Sequence, residues 1–164
     1  MAVGRKSADE GLPERPWSEA EELSLRLWIA LARCYSTVAR EVASRVSDYG
    51  LTTPQFGVLE ALYHLGPLSL GELADKLLVT GGNITYVMDR LERDGLVERD
   101  RSGPDRRVVT ARLTAAGEEL IREVFPGHAR FIHELASDLT TDEKELARGL
   151  LKRWGLGLGE RSPD

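Results

Sequence analysis

The stretch from Ser69 to Leu113, SLGELADKLLVTGGNITYVMDRLERDGLVERDRSGPDRRVVTARL, decides the fold of this chain. It predicts two short helices, a tight connection and a β-hairpin with a basic tip. The first helix opens with Ser69 and has Glu72 three residues later, which is the pattern of a capping box. The second helix is expected to start near Thr80 and to stop at Gly95, where a left-handed residue can end it. Helix, turn, helix and basic hairpin in this order are typical of a winged helix-turn-helix.

The second helix of this stretch has two different faces. Its apolar stripe repeats at helical spacing and consists of Ile84, Val87, Met88 and Leu91. Its opposite face combines small, amide, hydroxyl and charged residues: Gly81, Gly82, Asn83, Thr85, Tyr86, Asp89 and Arg90. A helix that only needs solvation prefers Ala, Glu and Lys there, whereas slim residues with amides and hydroxyls suit a helix that enters a DNA major groove N-terminus first. A capped surface helix with a loose start remains the alternative.

The predicted hairpin has a basic tip. Its strands are expected at 96–101 and 106–113, and they are joined by the turn-forming residues Ser102, Gly103, Pro104 and Asp105. Four arginines gather around this turn: Arg99, Arg101, Arg106 and Arg107. Arginines of this kind can reach into a narrow minor groove, and Asp105 can pair with one of them to hold the loop in shape. A charged edge that prevents strand-to-strand aggregation is the alternative interpretation.

The N-terminal part of the chain predicts a long helix followed by a scaffold helix. Ser18 with Glu21 is a second capping box, after which an apolar stripe continues at helical spacing until Gly50. A helix of about 30 residues is long for a small domain, and it cannot bury its stripe against a winged helix alone. A second copy of the chain is the expected partner. Thr53 followed by Pro54 predicts the start of the scaffold helix.

The C-terminal part predicts two more apolar-striped helices. Thr114 is expected to cap the fifth helix, and Pro126 predicts a kink or break in it, because proline removes one backbone hydrogen bond and clashes with the preceding turn. Thr140 with Glu143 forms a further capping box at the start of the sixth helix. The apolar face of that helix consists of Leu146, Leu150, Leu151 and Trp154. Such arms from both ends of the chain can interleave with those of a second copy.

The expected fold class is therefore mainly α with a small β-hairpin wing (α+β). The expected segments are a disordered arm at 1–17, a single domain at 18–157 and a flexible tail at 158–164. Inside the domain, the winged helix-turn-helix core covers about 51–113, between dimerisation helices at about 18–49 and 115–157.

Composition and charge favour an intracellular, non-membrane protein. The 164 residues suit one domain with dimerisation arms. The chain has no run of roughly 18 apolar residues and no signal-peptide pattern, and its single Cys34 excludes an intramolecular disulfide, so a cytoplasmic location is expected. The net charge of −5 is unusual for a nucleic-acid binder, but the acids concentrate near the two ends while the hairpin is basic.

No residue pattern points to catalysis, a metal or a cofactor. The three histidines are scattered, and the alternating glycines at 155–159 follow a helix rather than a strand, which excludes a dinucleotide-binding loop. Cys34 lies in the apolar stripe of the first helix, which favours a small, buried and inert thiol.

Several segments resemble the MarR family of bacterial transcriptional regulators. They are Leu51–Phe56, Leu68–Lys76, Asn83–Gly95, Asp105–Arg107 and Leu113–Gly117. The resemblance extends from about 23 to 154, and its most specific part is the Asp-Arg-Arg of the hairpin followed by Leu-Thr and Gly. Leu59–His64 and Asn83–Val87 resemble more narrowly the branch that responds to quinones and catechols.

The resemblance implies a homodimer, joined through its terminal helices, that binds double-stranded DNA as a repressor of a palindromic operator. The residues expected at the DNA are Ser69 and Thr80 on phosphates, Gly81 and Gly82 allowing close approach, Asn83, Thr85, Tyr86 and Arg90 in the major groove, and Arg106 and Arg107 in the minor groove with Asp105 bracing the wing. A winged-helix module that binds proteins and not DNA is the alternative, and the acidic balance of the chain is its main support.

The resemblance also implies a small phenolic or quinone effector. Aromatic or amphipathic residues that could line its pocket are Trp28, Tyr35, Tyr63, His64, His128 and Phe131. Each of these residues would equally fit an ordinary hydrophobic core.

Overall fold

Helices make up most of the fold. The computed structural model describes residues 16–100 and 109–159. Within these ranges the elements are α1 (Glu19–Asp48), α2 (Thr53–Leu65), β1 (Leu68–Ser69), α3 (Leu70–Leu77), α4 (Gly81–Arg93), β2 (Val97–Asp100), β3 (Thr110–Leu113), α5 (Ala115–Leu135) and α6 (Thr141–Gly159). The predicted fold class, mainly helical with a small antiparallel sheet, is confirmed.

The three strands form one antiparallel sheet in the order β1-β3-β2. The hairpin strands β2 and β3 pair with Arg99 opposite Ala111, and β1 pairs with the other edge of β3 through Leu68 opposite Ala111. Strand β1 was not predicted, because two residues carry no readable alternation. It ties the start of α3 to the hairpin.

The apolar stripes of α2, α3, α4 and α5 meet in one core. Its fully buried side chains are Val46, Val58, Leu59, Leu73, Ile84, Met88, Leu91, Val97 and Ile121. All four residues of the predicted α4 stripe are buried, so the periodicity of this helix identified its inner face correctly.

Side-chain caps begin the helices where polar residues precede them. The boxes predicted at Ser18, Ser69 and Thr140 are all formed. The predicted start of α2 was wrong by one residue, since the cap is Thr52 and not Thr53. Gln55 determines this difference, because its side-chain oxygen accepts a hydrogen bond from the Thr52 backbone N–H at 2.9 Å and completes a box with that residue.

Helix α5 continues through Pro126. A complete break at this proline, one of the two predicted outcomes, is not found. Proline removes only one hydrogen bond of the helix, and side chains on both sides of it, Ile121 and His128, are buried in the protein. Packing on both sides of the proline thus keeps the helix continuous.

The junction between the hairpin and α5 depends on Thr114 and Gly117. The Thr114 hydroxyl donates to the Gly95 carbonyl at 2.7 Å and accepts from the Gly117 N–H at 3.1 Å. A methyl group on Gly117 would overlap the backbone carbonyl of Leu96. The Leu-Thr…Gly motif is therefore explained by the close contact of α5 with the backbone of Leu96.

The chain divides into two units, with the boundary between Ala39 and Arg40. In the first unit, α1 presents a series of exposed apolar residues: Leu23, Leu25, Leu27, Trp28, Ile29 and Tyr35. In the second unit, α6 buries none of the side chains described for it, and its apolar residues Leu146, Leu150, Leu151, Trp154 and Leu156 are exposed. The prediction of a single domain at 18–157 stays a prediction.

Candidate nucleic-acid interface

Helix α4 presents a narrow, capped N-terminus. The Thr80 hydroxyl oxygen accepts a hydrogen bond from the Asn83 backbone N–H at 3.3 Å. A Cβ atom added to Gly81 or Gly82 would meet no atom within 4 Å. Because nothing in the described part of the chain occupies the space beside these two glycines, packing among the described residues does not account for them.

The predicted reading face of α4 is exposed. Gly81, Gly82, Asn83, Thr85, Tyr86 and Arg90 are all accessible. Arg90 Nη1 donates to the Tyr86 hydroxyl at 3.4 Å, so these two side chains lie together along the helix. The Thr85 hydroxyl donates to the Gly81 carbonyl at 2.9 Å, so its hydrogen is engaged within the helix while the residue as a whole stays exposed. The structure thus collects amide, hydroxyl, phenol and guanidinium groups on one accessible face.

Ser69 is used differently from Thr80. Its hydroxyl donates to the Glu72 carboxylate at 2.7 Å and accepts from the Glu72 N–H at 3.2 Å. The Ser69 backbone N–H, and then its hydroxyl, hold the pKa of Glu72 below the usual value, so this carboxylate is charged and would repel a phosphate. Contact between Ser69 and DNA stays a prediction, and it would have to compete with this cap.

The tip of the hairpin, including Asp105, Arg106 and Arg107, lies outside the described residues. Strands β2 and β3 lead to it from the described side. Glu98 and Arg112 form an exposed cross-strand ion pair of 2.8 Å on these strands.

Arg99 does not reach outward, and in this respect the prediction for this arginine was wrong. Its guanidinium folds back onto α4, where it donates to Glu92 at 2.7 Å, to Asp89 at 2.6 Å and to the Thr85 carbonyl at 3.2 Å. Only 14% of its side chain is exposed. The alternation of β2 was the available signal, because Val97 is buried and Arg99, two residues later, lies on the same face of the strand.

Three of the predicted ligand-pocket residues belong to an aromatic cluster in the second unit. Tyr63, His64 and His128 lie in it together with residues that the sequence had not indicated for this role: Tyr49, Phe56 and Phe125. The His128 ring is centred 4.5 Å from Phe56 and 6.4 Å from Phe125, and the His64 ring is 4.6 Å from Phe125. These rings join the end of α1, helix α2 and the middle of α5.

His128 is the polar group at the centre of this cluster. It is 7% exposed, and within the described residues its Nδ1 is a buried atom without a hydrogen-bond partner. Burial lowers the pKa of His128, and nearby Arg45 lowers it further, while Glu60 acts in the opposite direction. The imidazole is therefore held neutral, with one nitrogen open to a new partner.

The other predicted pocket residues lie elsewhere. Phe131 packs under Arg45, with the guanidinium carbon 4.7 Å from the ring centre. It lines an open groove of about 560 Å³ whose walls also include Asp48, Glu123 and Arg130. Trp28 and Tyr35 are exposed on α1 in the first unit.

Cys34 is exposed as well, so the expectation of a buried thiol was wrong for the single chain. Tyr35 beside it is 72% exposed. An apolar stripe predicts burial only when something packs against it.

Metal-binding clusters and membrane-spanning helices are both absent from the described residues. No group of His, Cys, Asp and Glu in that part of the chain gathers as a metal site would require. No helix in the described ranges is both long and apolar enough to cross a lipid bilayer.

Two short helices, an exposed polar face and a strand pair packed beside it define a winged helix-turn-helix protein. A family model described as the MarR family matches residues 49–108. The HTH-type transcriptional regulator MhqR of Bacillus subtilis is 42% identical over 135 residues, which cover 82% of this chain and 93% of MhqR. This chain belongs to the MarR family of transcriptional regulators, and the proteins that it resembles are regulators rather than enzymes.

Two solved structures show the same fold. One is a MarR mutant from E. coli in complex with operator DNA, with 27% identity and a TM-score of 0.72, covering 83% of this chain and 98% of that one. The other is BpsR of Bordetella bronchiseptica, whose DNA binding is regulated by 6-hydroxynicotinic acid. It is 25% identical, has a TM-score of 0.72, and covers 79% of this chain and 98% of its own.

Proposed function

We propose that this protein is a homodimeric repressor that binds a palindromic operator and releases it when a small aromatic effector binds. The observation that carries the proposal is the outer face of α4, which is slim at its N-terminus and polar along its length, while the inner face is fully anchored in the core. A DNA-binding regulator must reach the chromosome, so a cytoplasmic location is part of the proposal.

The recognition helix α4 supplies the base contacts in this proposal. Asn83, Tyr86 and Arg90 carry groups that can read base edges, and Thr85 offers a hydroxyl oxygen and a methyl group. Gly81 and Gly82 allow the backbone to approach the groove, and the free N–H groups at this end of the helix favour phosphate.

Two further groups act beside the recognition helix. Thr80 keeps its hydroxyl hydrogen available for a phosphate while its oxygen caps the helix. Arg106 and Arg107 of the hairpin tip enter the minor groove, with Asp105 bracing the loop. Ser69 is the weakest of the proposed phosphate contacts, because Glu72 engages its hydroxyl.

The exposed apolar residues of α1 and α6 support self-association. Clusters of exposed large apolar residues mark interaction sites. A twofold dimer would present two copies of α4, which matches a palindromic operator with half-sites about one DNA turn, ~34 Å, apart.

The aromatic cluster around His128 supports a phenolic or quinone effector. A phenol hydroxyl could donate to the unpartnered Nδ1 of His128, and the rings of Tyr63, His64 and Phe125 would pack against the aromatic body. The cluster joins α2, which shares a core with α3 and α4, to α5. A ligand there would shift the two recognition helices by a few ångströms, and so weaken DNA binding by breaking their register with the grooves.

A winged-helix module that binds proteins is the second candidate, favoured by the net charge of −5. The salt dependence of DNA affinity distinguishes the two candidates, because binding to a DNA groove releases counterions and weakens steeply as the salt concentration rises.

The test is a titration of the protein against a labelled duplex of its own upstream region, with an unrelated duplex as control, at several salt concentrations. Asn83→Ala should cost about 1–3 kcal/mol on the specific duplex only, while Arg107→Ala should weaken both duplexes. A simple catechol or quinone added to the complex should release the specific duplex. Failure of the wild-type protein to prefer its upstream duplex at any salt concentration would exclude the repressor, and release by no phenol or quinone would exclude the effector.

A further inference from the structure

The wing and the recognition helix are joined by one guanidinium. Arg99 lies in the middle of β2, and its three acceptors, on Thr85, Asp89 and Glu92, lie along one side of α4. Hydrogen bonds of a guanidinium to two carboxylates at 2.6 and 2.7 Å are of the strong, charge-assisted kind. Arg99 therefore connects three successive turns of the helix to the strand that leads to the hairpin tip.

Among the described residues of β2, Val97 and Arg99 are the side chains that face α4. Val97 anchors the start of β2 in the core, and Glu98, the next residue, points the other way and pairs with exposed Arg112. Beyond Val97, Arg99 is the next side chain of β2 that faces the helix, because strand residues alternate between the two faces. The angle between wing and helix thus depends on this contact.

We propose that Arg99 is a positioning residue for DNA binding, and that Asp89 and Glu92 promote DNA binding through it although they carry the same sign of charge as DNA. The proposal rests on the proposed function. By holding β2 against α4, Arg99 fixes the direction in which this strand runs from the recognition helix, and a fixed direction would let helix and wing contact the DNA together.

The charges around Arg99 make this inference testable, because it predicts whether DNA affinity rises or falls when a carboxylate loses its charge. Asp89 and Glu92 are accessible carboxylates on the recognition helix, with 52% and 43% of their side chains exposed. Where a carboxylate merely lies near a phosphate backbone, removing its charge should strengthen DNA binding. If the carboxylate holds the wing in place through Arg99, removing its charge should weaken DNA binding.

The first experiment compares Asp89→Asn with Glu98→Gln in binding to a labelled duplex of the upstream region. Glu98 is the matched control. It is a carboxylate on β2 that is also paired with an arginine, but its partner Arg112 lies on β3 and not on α4. We expect Asp89→Asn to weaken binding by about tenfold, and Glu98→Gln to bind as the wild type does or more tightly. Thermal unfolding of both variants checks that the fold is retained. Binding by Asp89→Asn that equals or exceeds that of the wild type would overturn the proposal.

A second pair of variants separates positioning from direct contact. Arg99→Lys keeps the positive charge, so a residue that touched phosphate would keep most of its effect. An ammonium cannot reproduce the planar fork that bridges two carboxylates and a carbonyl, so we expect Arg99→Lys to lose nearly as much affinity as Arg99→Gln.

Two outcomes would contradict this inference without affecting the proposed function. If Arg99→Lys binds like the wild type, Arg99 acts as a simple charge. If only Asp89→Asn is impaired, Asp89 reads a base itself. Absence of DNA binding by the wild-type protein would overturn the proposed function and this inference together.

Discussion

Helices α4 and α6 have the same kind of amphipathic sequence but lie in opposite environments. The apolar stripe of α4, represented by Met88 and Leu91, is fully buried. The stripe of α6 repeats at the same spacing through Leu146, Leu150 and Trp154, and these side chains are 64%, 46% and 36% exposed. The pattern thus states which face of a helix is apolar, but not what covers that face.

The difference between these helices distinguishes how the exposed face of α4 is formed from how two copies of α4 are arranged. Because the core of its own chain holds α4, its outward face is defined before any partner arrives. The apolar face of helix α6 is exposed among the described residues, so another molecule is the proposed cover of that face. The face of α4 proposed to contact DNA is formed within one chain, whereas the arrangement of two such helices depends on the dimer.

The largest effect is expected from a cavity under the recognition helix. Leu91→Ala removes a fully buried side chain of α4 and should lower the free energy of unfolding by about 2–5 kcal/mol, since the transfer and cavity costs add. Urea denaturation measures the loss. The control is Leu78→Ala, at a side chain that is 92% exposed, which should change the free energy by less than about 0.5 kcal/mol. Equal losses for the two variants would mean that α4 is not anchored as described.

An intermediate effect is expected from a charge on the apolar face of α6. Leu150→Glu would place a carboxylate in the proposed dimer interface and should weaken self-association by at least about tenfold. Sedimentation velocity over a concentration series measures this, and circular dichroism should show unchanged helix content.

The matched control for α6 is Lys152→Glu, which places the same group about 200° around the helix. It should leave the dimer intact. If Leu150→Glu self-associates as strongly as the wild type, this face of α6 is not part of the dimer interface.

The smallest effect is expected from the two helix caps, which have the same chemistry in the two environments. Ser69→Ala should cost about 1 kcal/mol of stability, because α3 is packed in the core. Thr140→Ala removes the corresponding cap of α6 and should cost less, because the first turn of α6 buries no side chain. Chemical denaturation at one protein concentration compares them, and a larger loss for Thr140→Ala would contradict the contrast between the helices.

The Ser69 cap should also depend on pH. The pKa of Glu72 is lowered in the folded chain, first by the Ser69 backbone N–H and then by its hydroxyl. The cap is therefore fully stabilising above the ordinary carboxyl pKa, and it loses its contribution as the pH falls through the lowered value. The difference between the wild type and Ser69→Ala should shrink in that acidic range.

Local chemistry made much of the recognition module predictable. The Ser69 and Thr80 caps, the α4 stripe and the left-handed Gly95 each depend on residues a few positions apart, so their spacing in the sequence was enough. The candidate reading face followed from the stripe, because the residues left over must point outward.

Contacts between distant residues were not predictable in the same way. Arg99 looked like one of four arginines at a hairpin tip, but its partners on α4 are 7, 10 and 14 residues away. The aromatic cluster around His128 likewise draws its rings from α2, from α5 and from Tyr49 just after α1. Cys34 was expected to be buried because it lies in the apolar stripe of α1, but the expected cover of that stripe is a second copy of the chain, and Cys34 is exposed in the single chain.

By itself, the sequence determined the order of the elements, their caps and the composition of each helix face, because these follow from interactions within one or two helical turns. Only the tertiary structure decided which apolar faces are covered and which charged side chains hold the fold together. A guanidinium or an apolar stripe has the same local preference wherever it occurs, and its environment depends on what the rest of the chain brings within a few ångströms.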